Sequence, residues 1–258
     1  MPDKDTNTRT LKTADTSCKI MFALRDLEGA TLSELADNLD RSKSGIHHYL
    51  STLMENQLVV KKGEKYHLSS QFILLGEYVR QHSALYQAGR EEIDDLAAKT
   101  GEYAHLMYEE HGRGIHLYKA HAKEGAAADY YRNKTTKSEY LHVSATGKAI
   151  LADLPRERVK DIIEQHGLVS ETKNTVSDRD ALLEQLDTIQ SRGYALNDEE
   201  QVRGSRAVGA AILDDGGNPI GGLSVSGPMT RVDDERFYET LPKDVMRAAN
   251  IIEATLDM

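Results

Sequence analysis

The pattern of apolar residues in the first seventy positions limits the fold of this chain more than any other feature of its sequence. Apolar side chains recur at intervals of three and four over residues 20–27, 32–39 and 46–54, a spacing typical of amphipathic helices. Two short segments, residues 58–61 and 65–68, then predict strands joined by a glycine-containing turn. Three helices followed by a β-hairpin make a winged helix-turn-helix.

Helix-start signals and one residue pair support this arrangement. Thr31 or Ser33 can cap the second helix, and Ser42 opens the third. Ala36 and Ile46 lie ten positions apart, which fits a close crossing of a small residue with an apolar one in a helix-turn-helix. That crossing leaves one side of the third helix free.

The free side of the third helix carries short polar and basic groups, and no Glu occurs between Arg41 and Met54. Such groups reach base edges and phosphates in a major groove, whereas the alternative, a solvated face of a small bundle, would carry more Glu. Lys62 and Lys65, at the hairpin tip, are predicted to contact phosphate or the minor groove. The predicted DNA-binding residues are Arg41, Ser42, Lys43, Ser44, His47, His48, Ser51, Lys62 and Lys65.

The charge of the chain is unevenly distributed. A formal net charge of −10 argues against a nucleic-acid partner, because a phosphate backbone repels an acidic surface. Residues 1–80, however, carry 11 basic and 11 acidic residues, which leaves 21 basic and 31 acidic residues in the remainder. The first part is therefore neutral and the second carries the whole net charge, which indicates two parts with different tasks.

The sequence also predicts where the protein works. It contains no run of about 18 apolar residues, and its beginning lacks the apolar segment of a secretory signal. We therefore expect a cytoplasmic, nucleoid-associated protein. The single thiol, Cys18, excludes an intramolecular disulfide and a multi-cysteine zinc site.

Beyond the hairpin, helical periodicity over residues 72–99, interrupted near residues 87–89, predicts a linker helix that leads into the first helix of a second domain. We expect the linker helix also to carry a dimer contact. Strands and helices then alternate, with hairpin signals at residues 111–114 and 214–219 and a capping box at residues 177–180. This order predicts an α/β sheet domain with helices packed on it. The expected segments are a disordered tail over 1–14, the winged helix over 15–70, the linker helix over 71–90 and the second domain over 91–258.

Residues 144–148, Ser-Ala-Thr-Gly-Lys, suggest two enzyme motifs but match neither spacing. A P-loop needs glycine in place of His142, and a serine–lysine acyl-transfer motif needs the lysine one position earlier. What remains is a helix N-terminus that favours a small anion such as a carboxylate. Ser224 and Ser226 share one face of a strand, where either a bound metabolite or mutual and backbone hydrogen bonds would satisfy them.

Two further groups of residues, one acidic and one of histidines, indicate a catalytic or metal site only weakly. The acidic run at residues 198–200 lacks a second catalytic element, so a solvated loop with salt bridges to Arg203 and Arg206 is the better interpretation. The dispersed histidines show no spacing that singles out three zinc ligands; they are His105, His111, His116, His121 and His142. We therefore predict no catalytic residues, no metal and no cofactor.

From residue 15 to residue 256 the chain resembles the IclR family of transcriptional regulators. Residues 141–152, LHVSATGKAILA, look like the central segment of the family, and residues 192–200, RGYALNDEE, resemble its RGYaxdxEE segment. Residues 224–228, SVSGP, followed by Arg231, match its SxSGPxxR segment. These segments occur in the family's order behind a winged helix, so together they are specific.

The resemblance implies an α+β two-domain protein, in which an N-terminal winged helix binds operator DNA and a C-terminal GAF-like α/β domain binds a small effector. It also implies homodimers or homotetramers built as dimers of dimers, and effectors that are mostly organic acids, aromatic acids or sugar-derived metabolites. Carried over by position, the effector-binding residues are Ala145, Thr146, Asn197, Ser205, Ala207, Ser224 and Ser226.

The chain departs from the family pattern at four positions, two of them effector-binding residues and two in the winged helix. Asn197 often corresponds to an acidic residue and Ala207 to a larger or sulfur-bearing one, so the identity of the ligand does not transfer. Asp40 and Gly45 stand where Gly and Thr are usual, so the operator sequence does not transfer either.

We therefore expect a non-enzymatic transcriptional regulator whose operator binding is controlled by a small cytoplasmic metabolite, an organic acid or a sugar-derived acid. One alternative is a small-molecule sensor or enzyme that uses the GAF-like domain without gene control. Another is an architectural DNA-binding protein that ignores metabolites.

Overall fold

The computed structural model describes residues 10–121 and 138–256 of the chain. These residues form two compact units, and the chain divides between Val79 and Arg80. Each unit encloses a hydrophobic core of its own. Residues 1–9 of the predicted tail lie outside the described residues.

The first unit is the winged helix-turn-helix predicted from the sequence. Its first helix begins at Lys12, three residues before the expected start at Asp15. The three strands form an antiparallel sheet in the order β1-β3-β2. The helices are α1 (Lys12–Asp26), α2 (Leu32–Asn38) and α3 (Lys43–Glu55), and the strands are β1 (Ala30–Thr31), β2 (Val59–Lys62) and β3 (Lys65–Leu68).

Side-chain caps fix the starts of α2 and α3. The Thr31 hydroxyl accepts a hydrogen bond from the Glu34 amide, and the Glu34 carboxylate accepts one from the Thr31 amide, so Thr31 is the cap of α2 and Ser33 is not. The Ser42 hydroxyl accepts a hydrogen bond from the Gly45 amide, as expected for the cap of α3.

The linker helix and the helix that follows it are both present, as α4 (Gln71–Gln81) and α5 (Ala84–Thr100). The break lies just before Ser83, whose hydroxyl accepts a hydrogen bond from the Tyr86 amide and caps α5, so the predicted interruption near residues 87–89 is wrong. Gly89 lies inside α5, at a place where the helix packs closely on Leu106. A Cβ at this position would come within 2.8 Å of Leu106 Cδ2. This glycine permits close packing and does not end the helix.

The second unit is built on a six-stranded antiparallel sheet in the order β6-β5-β4-β9-β8-β7. Its strands are β4 (Tyr103–Glu110), β5 (Arg113–His121), β6 (Glu139–Tyr140), β7 (Ala195–Asp198), β8 (Ser205–Leu213) and β9 (Pro219–Pro228). Both predicted hairpins are present, as β4–β5 and β8–β9. With this sheet domain beside the winged helix, the predicted α+β two-domain class is confirmed.

The described residues of the second unit include four further helices. A 3₁₀ turn over Leu141–Val143 precedes α6, and a π-helical turn over Arg236–Thr240 precedes α9. The helices are α6 (Ala145–Asp153), α7 (Arg156–His166), α8 (Arg179–Arg192) and α9 (Leu241–Leu256). The Asp178 carboxylate accepts a hydrogen bond from the Ala181 amide, so Asp178 caps α8, not Ser177 of the predicted capping box. No helix in the described ranges is long and apolar enough to span a bilayer.

The two faces of this sheet carry different layers. Leu223 and Val225 of β9 point into the main core, which α5 and α9 cover. Ser224 and Ser226 alternate with them and point to the opposite face, where α6 packs. A second core lies among α6, α7 and α8.

Candidate functional site

The first candidate site is the outer surface of the winged helix-turn-helix. Ile46, Leu50 and Leu53 are buried and hold one side of α3 against the core. The opposite side of α3 faces solvent, which is the condition for a helix to enter a major groove. All nine residues predicted to bind DNA have exposed side chains: Arg41, Ser42, Lys43, Ser44, His47, His48, Ser51, Lys62 and Lys65.

Two of these nine residues also have structural roles. Ser42 caps α3, and the Ser51 hydroxyl donates a hydrogen bond to the backbone carbonyl of His47. Lys62 and Lys65 face each other in the last register pair of the β2–β3 hairpin, so both ammonium groups lie at its tip. The exposed lysines and imidazoles are therefore the side chains with the most freedom to contact a duplex.

The turn between α2 and α3 explains one departure from the family pattern. Asp40 has a φ of 49°, in the left-handed region that glycine adopts without strain. Aspartate tolerates this conformation better than most residues do. The position therefore keeps its backbone geometry although its side chain differs from the usual glycine.

The second candidate site is a cavity of about 550 Å³, including its open mouth, on the α6 face of the sheet. It contains all seven residues that the resemblance implied: Ala145, Thr146, Asn197, Ser205, Ala207, Ser224 and Ser226. The other lining residues are His105, Met107, His116, Lys119, Glu139, Ser144, Gln201 and Val202.

The N-terminus of α6 reaches the cavity because glycines lie beneath it. A Cβ at Gly209 would come within 2.8 Å of the Ala145 carbonyl carbon and the Thr146 nitrogen. A Cβ at Gly222 would be 3.0 Å from the Thr146 Cγ2 atom. The first backbone N–H groups of a helix lack intrahelical partners and carry the positive end of its dipole, so this end of the cavity suits an anion.

Some of the polar groups that line the cavity form hydrogen bonds within the protein. The Ser226 hydroxyl lies 2.9 Å from Nε2 of His105. Asn197 donates to the Val143 carbonyl at 2.6 Å and accepts from the Glu200 amide at 3.2 Å, so its amide positions the segment that leads into α6. No hydrogen bond from the described residues reaches the Ser224 hydroxyl, which also lines the cavity.

At one end of the cavity the structure brings together two histidines, His105 and His116, that the sequence suggested only as dispersed candidate metal ligands. His105 on β4 and His116 on β5 have ring centroids 5.5 Å apart. His116 Nε2 lies 3.0 Å from a Glu139 carboxylate oxygen, and Lys119 lines the same wall. His105 and Met107 alternate along a predicted strand, and this spacing was the available signal that both face one side.

The cavity is more basic than the unit around it. Residues 81–258 carry 31 acidic and 21 basic side chains. Among the described lining residues, by contrast, the ionisable groups are one lysine, two imidazoles and one carboxylate. The lining therefore does not share the acidic excess of the unit that encloses it.

Behind the cavity lies a buried ion pair. Lys148 of α6 is fully buried, and its Nζ atom lies 2.6 Å from an oxygen of Glu200. Burial lowers the pKa of Lys148 and raises the pKa of Glu200. The pair fixes α6 to the segment after β7. The interpretation of residues 198–200 as a solvated loop is therefore wrong for Glu200. The predicted salt bridge to Arg206 is present, because Asp198 pairs with Arg206 at 2.9 Å.

A metal centre is not formed by the residues that the structure describes. Within residues 10–121 and 138–256, no group of three His, Cys, Asp or Glu side chains converges at metal-binding distance. His111 and His121 lie outside the lining of the cavity, and His142 donates to or accepts from the neighbouring backbone at Val169.

Comparison with known proteins places these features in one family. Residues 77–254 match the model of the bacterial transcriptional regulator IclR C-terminal domain, and residues 15–63 match the IclR helix-turn-helix domain. The probable HTH-type transcriptional regulator ArcR of Halobacterium salinarum is 39% identical over 240 residues, which cover 93% of this chain and 91% of that protein. The HTH-type transcriptional regulator KdgR of Dickeya chrysanthemi is 29% identical over 90% of this chain and 76% of that protein.

The agreement extends to three dimensions. The crystal structure of the Thermotoga maritima IclR matches this fold with a TM-score of 0.72 and 25% identity, covering 96% of this chain and 100% of that chain. The matched families and relatives are transcriptional regulators rather than enzymes. The chain therefore belongs to the IclR family of DNA-binding transcriptional regulators.

Proposed function

We propose that this regulator contacts its operator through α3 and the β2–β3 wing, and that a small anionic metabolite in the cavity of the second unit sets its occupancy of the operator. The metabolite is an organic acid or a sugar-derived acid. The observation that carries this proposal is the cavity at the N-terminus of α6, which is lined by Lys119 and two imidazoles and enclosed by an acidic unit.

Exposure and charge support the DNA contact. The polar side of α3 and the hairpin tip are solvent-exposed, and the part of the chain that contains them has no net charge to repel phosphate. Lys43, Lys62 and Lys65 contribute salt-dependent affinity, while His47 and Ser44 lie at the level of the base edges.

The lining of the cavity supports the effector class. A carboxylate accepts hydrogen bonds from the N–H groups at the start of α6, and the hydroxyls of Thr146 and Ser224 offer further bonds to hydroxyl or oxo groups. Small side chains at Ala145 and Ala207 leave room beside these groups. A compact polar acid uses more of these contacts than an apolar ligand does.

The regulator acts as a homodimer or as a dimer of dimers, in the cytoplasm and on the nucleoid. Exposed apolar side chains on α4, among them Ile73, Leu74 and Val79, favour pairing with a second copy. Effector binding favours one relative placement of the two DNA-binding units, and a palindromic operator accepts only the placement that matches its half-site spacing.

Operator selection tests the proposal. The full chain is used to select duplexes from a random pool, and the selected duplex is footprinted with and without acetate, pyruvate, succinate and gluconate. We expect one protected palindrome and at least a tenfold change in affinity with one of the acids, equivalent to about 1.4 kcal/mol. Protection that is independent of sequence and indifferent to every acid would favour an architectural protein, and acid binding without DNA binding would favour a sensor.

A further inference from the structure

Two walls of the cavity are joined by contacts that lie behind it. Residues 145 and 146, at the start of α6, line one wall, and residues 201 and 202, in the loop between β7 and β8, line another. Lys148 follows the first pair in α6, and Glu200 directly precedes the second pair in the loop. The ion pair of Lys148 and Glu200 therefore connects two segments that face the same cavity.

The 199–204 loop that carries Glu200 is held together by its own hydrogen bonds. The Glu199 carboxylate accepts a hydrogen bond from the Gly204 amide at 2.7 Å. The hydroxyls of Thr172 and Thr175 donate to the Glu200 carbonyl at 3.1 and 2.6 Å. The position of this loop relative to α6 is consequently set by the contacts that join the two.

Two contacts join the loop and its preceding strand to α6. Nδ2 of Asn197 donates to the Val143 carbonyl at 2.6 Å just before the helix, and Nζ of Lys148 donates to Oε1 of Glu200 at 2.6 Å within it. Oδ1 of Asn197 accepts from the Glu200 amide at 3.2 Å, which closes a ring of contacts around the helix start. Residues 145 and 146 lie between the two contacts, so the ion pair sets their distance from the loop.

Burial holds the pair of Lys148 and Glu200 in one geometry. The Lys148 side chain is 0% exposed and the Glu200 side chain 9%. Nζ of Lys148 also lies 3.4 Å from Oε1 of Gln185 in α8, whereas no hydrogen bond from the described residues reaches Oε2 of Glu200. Separation of the pair would leave two charges in the interior without compensation, which is strongly unfavourable.

We propose that Lys148 and Glu200 are positioning residues of the effector site, whose contact sets the distance between the start of α6 and the 199–204 loop and thereby the affinity for an anionic effector. Neither side chain belongs to the described lining of the cavity, so both act through the residues that do. This inference rests on the proposed function, because it requires an anionic effector in this cavity.

The double variant Lys148→Met/Glu200→Leu tests the proposal. It keeps the net charge of the pair at zero, and apolar side chains of similar volume often replace a buried ion pair without loss of stability. Calorimetric titration of the full chain with acetate, pyruvate, succinate and gluconate should show a Kd about tenfold higher for each acid that the native chain binds. The midpoint of urea denaturation should stay close to the native one, so a merely structural pair predicts an unchanged Kd, which would overturn the proposal.

Exchange of the two residues tests whether the contact itself is required. Lys148→Glu/Glu200→Lys rebuilds the ion pair with the same combined side-chain length, so each Kd should return to within about threefold of the native value. An exchanged pair that binds no more tightly than the apolar double variant would contradict the proposal.

A conservative variant decides the question if the apolar one folds poorly. Glu200→Asp keeps both charges but shortens the carboxylate side chain by one methylene, so it should raise each Kd by about fivefold. Native affinity in Glu200→Asp would show that the distance between α6 and the loop does not depend on this contact.

Lys99→Met/Asp244→Leu is the matched control. It removes an ion pair of 2.7 Å that joins α5 to α9, on the other face of the sheet, and it also leaves the net charge unchanged. Because this pair is remote from the cavity, no Kd should change by more than about twofold.

The outcomes separate this inference from the function on which it rests. If the native chain binds an acid and the apolar double variant binds it as tightly or more tightly, only the positioning role is wrong. If the native chain binds none of the acids, the proposed effector class fails and the positioning role fails with it.

Discussion

The Ser224 hydroxyl differs from its neighbour Ser226 in its hydrogen bonding, although both point into the cavity. Ser226 lies against His105, whereas no hydrogen bond from the described residues reaches Ser224. We expect a ligand oxygen to bond to Ser224 without breaking a hydrogen bond that the described residues already make. At the scale of single residues, Ser224 is therefore a hydroxyl at which the proposed effector site can be tested.

Replacement of both serines tests this assignment. Ser224→Val/Ser226→Val should weaken acid binding by tenfold or more, as expected for loss of hydrogen bonds to a charged group, and abolish the response of DNA binding to the acid. Affinity for the operator without acid should stay within twofold, because the serines lie in the other unit. Fluorescence anisotropy with labelled operator measures both quantities, and a double variant that still responds fully would remove these residues from the effector site.

The buried side chain of His142 should make the stability of the fold depend on pH. Burial lowers the pKa of His142 below its usual value of 6.5, so below that pH the unfolded chain binds the proton before the folded chain does. The free energy of unfolding should therefore fall as the pH drops below about 6.5, by at most about 1.4 kcal/mol per pH unit. Urea denaturation at pH 7.5 and pH 5.5 measures this loss.

The matched variants for this pH effect are His142→Gln and, on the exposed surface of α3, His47→Gln. His142→Gln should lose less stability between the two pH values than the native chain loses. His47→Gln should behave like the native chain. Equal losses in all three proteins would contradict a role for His142.

At the scale of helices and strands, the sequence predicts elements with a clear period and misses those without one. The periodic helices, both hairpins of the sheet domain and the capping role of Ser42 follow from local patterns. The strands β1 and β6 have two residues each, too few for any alternation, and they exist because a neighbouring strand pairs with them. The break between α4 and α5 was misplaced because Gly89 signals packing as well as helix ends.

The lining of the cavity could likewise be predicted from the sequence only in part. The alternation of Ser224 and Ser226 and the helix start at Ser144 are local signals, and they predicted part of the lining. The contact of Lys148 with Glu200 joins residues 52 positions apart, and the contact of His116 with Glu139 depends on the pairing of β5 with β6. No local pattern encodes such contacts, because tertiary packing creates them.

The close approach of α6 to the sheet gives a prediction about Gly209. A Cβ at this position would meet the backbone of Ala145 and Thr146 at 2.8 Å, and backbone atoms cannot move aside as a flexible side chain does. Gly209→Ala should therefore lower the free energy of unfolding by about 1–3 kcal/mol and weaken acid binding, since α6 must shift. Urea denaturation and calorimetric titration measure the two effects.

Gly76→Ala is the matched control for this substitution. Gly76 lies in α4, and apart from its own helix backbone and chain neighbours no atom of the described residues lies within 4 Å of a Cβ built there. This change should raise the free energy of unfolding by up to about 1 kcal/mol, because alanine favours the helix. If Gly209→Ala were as stable as Gly76→Ala, α6 would not depend on the glycine beneath it.

At the scale of the whole molecule, the net charge is distributed unevenly between the two units. The unit that carries α3, residues 1–79, has 10 basic and 11 acidic residues, whereas the unit that carries the cavity, residues 80–258, has 22 basic and 31 acidic residues. Phosphate contacts must therefore come from a few exposed basic side chains rather than from a general positive surface. Neutralising individual lysines should consequently have measurable effects on DNA binding.

The central claim is that α3 and the wing contact the duplex, and the salt dependence of operator affinity tests it most directly. Anisotropy titrations of the full chain over a series of KCl concentrations would compare the native protein with Lys62→Ala/Lys65→Ala and with Lys160→Ala/Lys173→Ala, two lysines of the second unit. The wing variant should bind more weakly, with a slope of log K against log salt that is smaller by about 2, one for each phosphate contact, while the control variant keeps the native slope. Equal affinity of the native protein and the wing variant at every salt concentration would contradict the claim.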